Sequence, residues 1–462
     1  MRSPRYLLKW LIVSSLIGIV AGVGAIVFYA ALRLATGFFL GTLVGYLPPG
    51  SAGEGATRVV AFWTAAHPWL LPGVTTLGGL LAGLIVSSLA PEAEGGGQDA
   101  AIATFHHNGT MRVRMPLVKL VASALLVGSG GSAGREGPVA QIGAGIGSVM
   151  GRLLRLDIHD RRIALIAGMG AGIGAIFRAP LGGALLAAEI LYQNDLEVEA
   201  LLPTFIASTV GYSIFGFWSG WSPLFATPGN LAFTSPPQLL YYVLLGLVCG
   251  LMGILYAHVF HGMTSLFRRF PAPGWIKPAV GGLAVGLLGL GVPQVLGTGY
   301  GWVQFSMGLE LQTLPFWVLL LLPFAKILTT SLSIGSGGSG GIFGPGVVIG
   351  GMTGALCWQL GHSLLPGFPP LPAFFVIIGM MALFGGIAHA PVAVMLMGLE
   401  MTGNLSLLAP AMVAVSLASL LVGKNTLYPS QVKVRADSPA HRLQHVLQTV
   451  KEETRSPSLP HR

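Results

Sequence analysis

The chain has 462 residues, of which 53% are hydrophobic and only 9% are charged. Because soluble domains carry about 25% charged residues, this composition excludes an ordinary soluble protein and predicts a membrane protein. The formal net charge of +9 is attributed to basic residues at the cytoplasmic surface of the membrane protein. A nucleic-acid partner is therefore not expected. Both cysteines, Cys249 and Cys357, lie in apolar runs, so no disulfide framework is expected.

Five long apolar runs follow in chain order, at residues 10–31, 71–90, 239–257, 275–292 and 314–328. Several are long enough for a helix to cross a hydrocarbon core of about 30 Å. The first run exceeds the core of a signal peptide, which predicts a retained first helix behind a cytoplasmic N terminus. Segments 39–68 and 219–237 hold a single basic residue, Arg58, and are predicted to be external, whereas the basic segments near 268 and 424–435 are predicted to be cytoplasmic. Both termini of a multi-pass cell-membrane protein are therefore expected in the cytoplasm.

Shorter apolar segments, such as 137–150 and 390–401, are interrupted by glycine or proline. Such segments are tolerated at membrane depth only where protein or a water-filled cavity surrounds them. The pattern predicts an all-α polytopic membrane protein with many tilted and broken helices.

Two glycine-rich segments show that the chain is an internal repeat. GSGGSAGREGP at 128–138 and GSGGSGGIFGP at 335–345 agree at eight of eleven positions. Further pairs flank them at similar offsets, including Lys119 with Lys326 and Glu189 with Glu400. We expect a first membrane half at 1–218, an external linker at 219–237, a second, inverted half at 238–422 and a cytoplasmic tail without a regulatory domain at 423–462.

Each glycine-rich segment ends in a proline that is expected to open a helix, because proline is favoured at the first helical position. Bare backbone N–H groups and the partial positive charge of a helix N-terminus together favour an anion. Two such ends, converging from inverted halves at the bilayer midplane, predict an anion site. Partial charges bind an anion weakly enough to let it leave again. The alternative is that the glycines serve only close helix packing.

Glu136 lies in one copy of the repeat, opposite Phe343 in the other. A carboxylate inside a membrane is costly and marks function. At a helix N-terminus, an ionised side chain competes with an anion for the same place, and a protonated one frees it. Glu136 is therefore predicted to be a gate and proton carrier. The alternative is a purely structural ion pair with its neighbour Arg135.

The chain resembles the CLC family of chloride channels and chloride/proton exchangers. The resemblance is carried, in order, by the glycine-rich stretch after APEA at 90–93, GREGP at 134–138, GIFGP at 341–345 and the Leu-Tyr pair at 427–428. It covers about residues 8–430 and implies an inverted-repeat CLC-like fold, chloride transport, a homodimer with one anion pathway per subunit and no cofactor. It implies that Glu136 is the external gating glutamate. It also implies an anion site lined by Arg135, Glu136, Gly137, Ile342, Phe343, Tyr428 and Gly96.

Two positions depart from the family pattern. The family's GSGxP serine corresponds here to Gly96, which has no hydroxyl, and its proline to Asp99, so the preference among chloride, nitrate and fluoride is left open. The internal proton glutamate of family exchangers corresponds to Ile190, which cannot relay a proton. Because some bacterial exchangers are thought to lack this glutamate and this chain looks bacterial, exchange is favoured over an uncoupled voltage- or pH-gated channel.

Two other functions fit the sequence less well. An intramembrane serine hydrolase would use Ser129, Ser132 or Ser336 with His389, but these serines occur in both repeats, whereas a nucleophile is needed once. A transporter of organic anions would need arginine or lysine in the pathway, and few are available. We therefore expect no enzyme.

The remaining polar residues receive structural interpretations. Arg178 and His389 are expected to cap or pair helix ends, as are Glu189 and Glu400. His106 and His107 are placed in a polar loop without a metal, and 152–162 in a solvated loop. Apolar positions 443, 446, 447 and 450 suggest either a short amphipathic helix or a partly ordered tail.

Overall fold

The computed structural model describes residues 4–55, 64–107, 109–229, 231–233, 235–365 and 367–441. The first part of the chain forms α1 (Pro4–Thr36), α2 (Leu71–Leu89), α3 (Gln98–His106), α4 (Met115–Gly128), α5 (Glu136–Leu153), α6 (Ile158–Phe177), α7 (Pro180–Glu189) and α8 (Val198–Ser219). The second part forms α9 (Leu239–Arg269), α10 (Lys277–Gly291), α11 (Tyr300–Ser306), α12 (Phe316–Gly335), α13 (Phe343–Gly361), α14 (Ala373–Ile387), α15 (Pro391–Thr402) and α16 (Leu408–Val422). The described residues contain no β-strand, only isolated bridges, and the predicted all-α fold is confirmed.

Six helical stretches of the described chain are long and apolar enough to cross a membrane: Pro4–Val44, Pro68–Leu89, Val198–Ser219, Pro236–Arg269, Phe316–Gly335 and Leu405–Val422. Four shorter apolar helices accompany them: Met115–Gly128, Lys277–Gly291, Ala373–Ile387 and Pro391–Thr402. The apolar run at 275–292 forms one of these shorter helices, because Pro293 follows it and disfavours helical backbone at the residue before it. The segment predicted as a broken half-helix at 137–150 belongs instead to the 18-residue helix α5.

The two glycine-rich loops pair with each other through their backbones. The N–H of Gly134 donates to the carbonyl of Gly341 at 2.8 Å, and the N–H of Gly341 donates back to Gly134 at 2.7 Å. Gly130 and Gly337 occupy matching places in the two loops, with φ of 103° and 98°, a conformation that requires glycine. The loops that precede α5 and α13 are thus held together at the centre of the molecule.

Two buried lysines fix corresponding loops. Lys119 Nζ donates to the carbonyls of Ala93 and Gly95 at 3.0 and 2.7 Å. Lys326 Nζ donates to those of Val295 and Gly297, both at 2.8 Å. Each lysine therefore satisfies two backbone carbonyls of the segment that leads into a short helix, α3 or α11.

Two glutamates join α7 and α15 reciprocally. The carboxylate of Glu400, in α15, accepts from the first N–H groups of α7, at Leu181 and Gly182. That of Glu189, in α7, accepts from the first N–H groups of α15, at Val392 and Ala393. The interpretation of both as structural helix-end residues is confirmed, because each satisfies donors that a helix cannot satisfy itself.

Arg178 and His389 also end helices. Both have a left-handed backbone, with φ of 55° and 53°. The Arg178 guanidinium donates to the carbonyls of Gly53, Ser219 and Ser222, and His389 Nε2 lies 2.9 Å from the carbonyl of Gly423. Their expected role at helix ends is confirmed.

Two local expectations turn out differently, and a third concerns residues outside the described part of the chain. His106 is not in a polar loop but ends α3, is buried, and contacts the Ser438 hydroxyl and the Leu191 carbonyl at 2.8 and 3.0 Å. Most of 152–162 is helical, because Asp157 caps α6 by accepting from the N–H of Asp160 and only a short turn separates α5 from α6. The apolar positions 443–450 lie outside the described residues.

A candidate anion site at two helix N-termini

The helices α5 and α13 begin two residues earlier than predicted. Arg135 is the N-cap of α5 and Glu136 its first helical residue, which makes Pro138 the third. In α13, Ile342 is the N-cap and Phe343 the first helical residue, followed by Pro345 as the third. Proline is tolerated there because the N–H groups of the first turn have no partner inside the helix. Glu136 and Phe343 themselves therefore occupy the helix starts.

The carboxylate of Glu136 is fully buried. Its Oε1 accepts a hydrogen bond from the hydroxyl of Tyr300, while Oε2 has no partner in the described structure. A methyl group added to Gly344, in the first turn of α13, would lie 2.6 Å from Oε2. The carboxylate thus lies between the first turns of α5 and α13, where the two partial positive charges meet.

Arg135 is bound mainly to a residue that the sequence did not indicate. Its buried guanidinium forms an ion pair with Glu54, in the short helix Ala52–Glu54, whereas Nε is 3.5 Å from Glu136 Oε1. The guanidinium also lies over the rings of Tyr29 and Tyr300, at 5.2 and 5.1 Å from their centroids. Burial would raise the pKa of Glu54, but Arg135 outweighs it and the pKa lies below its usual value. An ionised Glu54 therefore compensates Arg135 at neutral pH, so the salt-bridge alternative for Glu136 is not favoured.

The N-terminus of α3 packs against that of α5. Its N-cap, Gly97, has a φ of 85°, and a methyl group there would lie 2.6 Å from the carbonyl oxygen of Gly137. A methyl group on Gly96 would lie 3.4 Å from Ile342 Cγ1. Gly96, Gly137 and Ile342 are therefore neighbours, as the resemblance implies.

Tyr428 reaches the site through a second residue that the sequence did not indicate. Its buried hydroxyl donates to Gln98 Oε1 at 2.6 Å. The hydroxyl of Tyr256 donates to the carbonyl of Ile342 at 3.0 Å. Phe343 packs its ring on Phe384, with centroids 4.0 Å apart. This part of the candidate site is therefore bounded by aromatic side chains and one amide.

The repeat holds a signal for two of the missed residues, Gln98 and Tyr300. Gly97 pairs with Gly299 at an offset of 202, so the next residues, Gln98 and Tyr300, also correspond. Each opens a short helix, α3 or α11, and each contacts a residue predicted for the site. Extending the repeat alignment by one position would have found them.

The comparisons with known proteins decide the family. The sequence profile described as voltage gated chloride channel matches residues 78–423. The chain belongs to this family. It is 33% identical over 368 residues to a ClcB-like chloride channel protein of Ralstonia nicotianae, covering 78% of this chain and 84% of the relative. It is 30% identical over 429 residues to the H(+)/Cl(-) exchange transporter ClcA of Citrobacter koseri, covering 89% and 85%.

A solved structure of a slow cyanobacterial Cl-/H+ antiporter has the same fold. The TM-score is 0.78 at 22% identity, over 98% of this chain and 100% of that one. The resemblance to the CLC family is confirmed, and the protein is a CLC-type membrane transporter of anions.

Two residues that depart from the CLC pattern, Asp99 and Ile190, both contact the segment that follows Tyr428. The Asp99 carboxylate accepts from the N–H and hydroxyl of Ser430, both at 2.9 Å, and so anchors the segment that carries Tyr428. Ile190 is fully buried, and its carbonyl accepts from Gln431 at 2.9 Å. Both carboxylate oxygens of Asp99 are therefore hydrogen-bonded to Ser430, and the Ile190 side chain has no titratable group.

The hydrolase alternative is not supported by the geometry. Ser129 donates to the Leu126 carbonyl and Ser336 to that of Ser333, while the Ser132 hydroxyl lies 3.0 Å from that of Thr330. His389 Nε2 is hydrogen-bonded to the backbone carbonyl of Gly423. The described contacts therefore form no nucleophile–base pair.

Proposed function

We propose that this protein exchanges chloride for protons across the inner membrane of its cell, with Glu136 as the residue that both ions use. The observation that carries the proposal is the buried Glu136 carboxylate between the first turns of α5 and α13, with Oε2 unpaired. Ionised, this carboxylate occupies the place of an anion. Protonated, it loses the charge that holds it there, and chloride takes its place.

The anion pathway is proposed to have an outer and a central site. The N–H groups of Arg135, Glu136 and Gly137 line the outer one, and those of Ile342 and Phe343 line the central one together with Tyr428 and Gly96. Helix N-termini supply partial charges without an ionised group, so chloride binds weakly enough to leave. Arg135 does not trap chloride as a full cation would, because Glu54 already compensates it.

Protons are proposed to reach Glu136 from the inside through water. Ile190 carries no titratable group, and neighbouring Glu189 is engaged with the first N–H groups of α15. This favours slow or loose coupling over a dedicated carboxylate relay. The relatives are named both as an exchange transporter and as a channel protein, so transport coupling needs a direct measurement.

The chain is proposed to consist of halves 1–218 and 238–422, joined by the external linker 219–237 and followed by a tail at 423–462. Matching contacts of Lys119 and Lys326, and of Glu189 and Glu400, support this division. The halves are inverted, both termini are cytoplasmic, and two subunits form a homodimer with separate pathways.

The test is a reversal-potential measurement on purified protein in liposomes under opposing chloride and proton gradients. For an exchanger, the reversal potential departs from the chloride equilibrium potential and moves when only the pH on one side changes. A potential that stays at the chloride value under every pH gradient contradicts exchange and assigns an uncoupled channel. Protein-free liposomes give the leak that must be subtracted.

A further inference from the structure

We propose that a cavity at the C-terminal ends of α2 and α9 binds a headgroup that carries both a phosphate and a primary ammonium, as in a phosphatidylethanolamine lipid. The cavity has a volume of about 330 Å³, and sites for small ligands usually measure about 300–1,000 Å³. Three charged side chains line it: Glu94, which follows α2, Arg268, near the end of α9, and Lys277, at the start of α10.

The charges that line the cavity are not paired with one another. The positive charges of Arg268, Lys119 and Lys277 favour the ionised form of Glu94, yet none of these cations is hydrogen-bonded to its carboxylate. Lys277 Nζ donates one hydrogen bond, to the Phe267 carbonyl at 2.7 Å, whereas an ammonium has three donors. Acceptors of Glu94 and donors of Arg268 and Lys277 are therefore available to one ligand.

The signs of these charges define the ligand. Guanidinium and ammonium groups bind phosphate oxygens, and a carboxylate binds an ammonium that can donate hydrogen bonds. Glu94 would repel a headgroup that carries only negative charge, and a quaternary ammonium has no N–H to donate to it. A phosphodiester joined to a primary amine satisfies the cations and the carboxylate together.

The surroundings favour a lipid as the source of this headgroup. Arg268 lies in the last turn of the helical stretch Pro236–Arg269, which is long and apolar enough to cross a membrane. Trp275, in the connection between α9 and α10, is exposed, as are the apolar side chains of Leu266 and Phe270. Tryptophan is enriched where a membrane meets water. A charged cavity beside exposed apolar side chains suits a headgroup with acyl chains attached.

The cavity also adjoins the segments that lead into α3 and α13. Gly337, in the second glycine-rich loop, lines it together with Glu94. Glu94 is followed by Gly95, whose N–H donates to the Gly338 carbonyl at 3.0 Å and whose carbonyl accepts from the N–H of Gly340 at 3.2 Å. A bound headgroup would contact both segments, so we expect it to stabilise their pairing and raise the melting temperature of the protein.

The test is thermal unfolding of the purified protein in detergent, titrated with short-chain phosphatidylethanolamine, phosphatidylglycerol or phosphatidylcholine. The ethanolamine lipid should raise the melting temperature at the lowest concentration, because it alone supplies a phosphate and a primary ammonium. Equal or tighter binding of phosphatidylglycerol or phosphatidylcholine would overturn the proposal. Glycerophosphoethanolamine, which lacks acyl chains, distinguishes the sources: weaker binding supports a lipid, and affinity equal to that of the lipid contradicts a lipid source.

Matched variants locate the site. Arg268→Gln should weaken binding of the ethanolamine lipid by about tenfold, because a charge-assisted hydrogen bond to phosphate is lost. Arg269→Gln changes a neighbouring arginine that does not line the cavity and should leave the affinity unchanged.

Glu94→Gln tests the other end of the headgroup. It should abolish the preference for the ethanolamine lipid over phosphatidylglycerol, whereas Glu92→Gln, outside the cavity, should preserve it. Unfolding without lipid shows which variants are folded. An Arg269→Gln effect as large as that of Arg268→Gln, or an unchanged preference in folded Glu94→Gln, would show that the cavity does not bind this headgroup.

Discussion

The N-termini of α5 and α13 have the same construction and different chemistry. Both follow paired glycine loops, and both carry proline at the third helical position. The first residue of α5 is Glu136, whose carboxylate meets Tyr300, whereas the first residue of α13 is Phe343, whose ring packs on Phe384. The comparison teaches that a duplicated scaffold brings two partial positive charges together, while the two copies place chemically different residues at the helix starts.

Removing the carboxylate that distinguishes the two helix starts should have the largest effect. Glu136→Gln keeps the size of the side chain but cannot ionise, so the first residue of neither helix then carries a carboxylate. We expect proton coupling to vanish and chloride flux to persist or rise, measured as a reversal potential that follows chloride alone. Retained pH dependence in this variant would show that another residue acts as the gate.

Tyr428→Ala tests the inner end of the same pathway. It removes the hydroxyl that is hydrogen-bonded to Gln98, so central chloride binding should weaken by about tenfold, because a hydrogen-bonding group near the anion is lost. Calorimetry with chloride measures the effect directly. Unaltered affinity would remove Tyr428 from the central site, while proton coupling through Glu136 should survive in either case.

Glu54→Gln tests whether Arg135 belongs to the scaffold or to the gate. Without its ionised partner, the Arg135 guanidinium is free to attract Glu136, 3.5 Å away. The ionised gate is then stabilised, and the pH at which chloride flux is half-maximal should move downward by about one unit, equivalent to about 1.4 kcal/mol.

The same variant has a matched control in Glu92→Gln. Glu92 also pairs with an arginine, Arg112, but this pair is partly exposed, whereas Glu54 and Arg135 are largely buried. Its loss should leave the pH profile of transport unchanged. An equal shift in both variants would indicate a general change of surface charge.

Much of this arrangement could be predicted from the sequence, because glycine, proline and hydrophobic length act locally. The all-α fold and the pairing of the two glycine-rich segments rest on such signals. The helices α5 and α13 begin two residues before the predicted prolines, since a proline in the first turn fits the third position as well as the first. Glu54 could not be predicted, because its partner Arg135 is 81 residues away and no spacing links them. Gln98 and Tyr300 were within reach, because the repeat aligns them, but neither residue type marks an anion site by itself.

Gly96→Ser makes the two halves more alike and should have the smallest effect. The residue that corresponds to Gly96 in the second half is Thr298, which carries a hydroxyl. A Cβ at Gly96 would meet Ile342 Cγ1 at 3.4 Å, an ordinary contact, and the backbone there is not in the left-handed region, so serine fits without strain. The added donor should raise the ratio of chloride to nitrate flux a few-fold, on the order of one hydrogen bond. Gly96→Ala adds the Cβ without the hydroxyl and should leave the ratio as it is. A serine variant that behaves like the alanine variant would show that Gly96 does not face the anion.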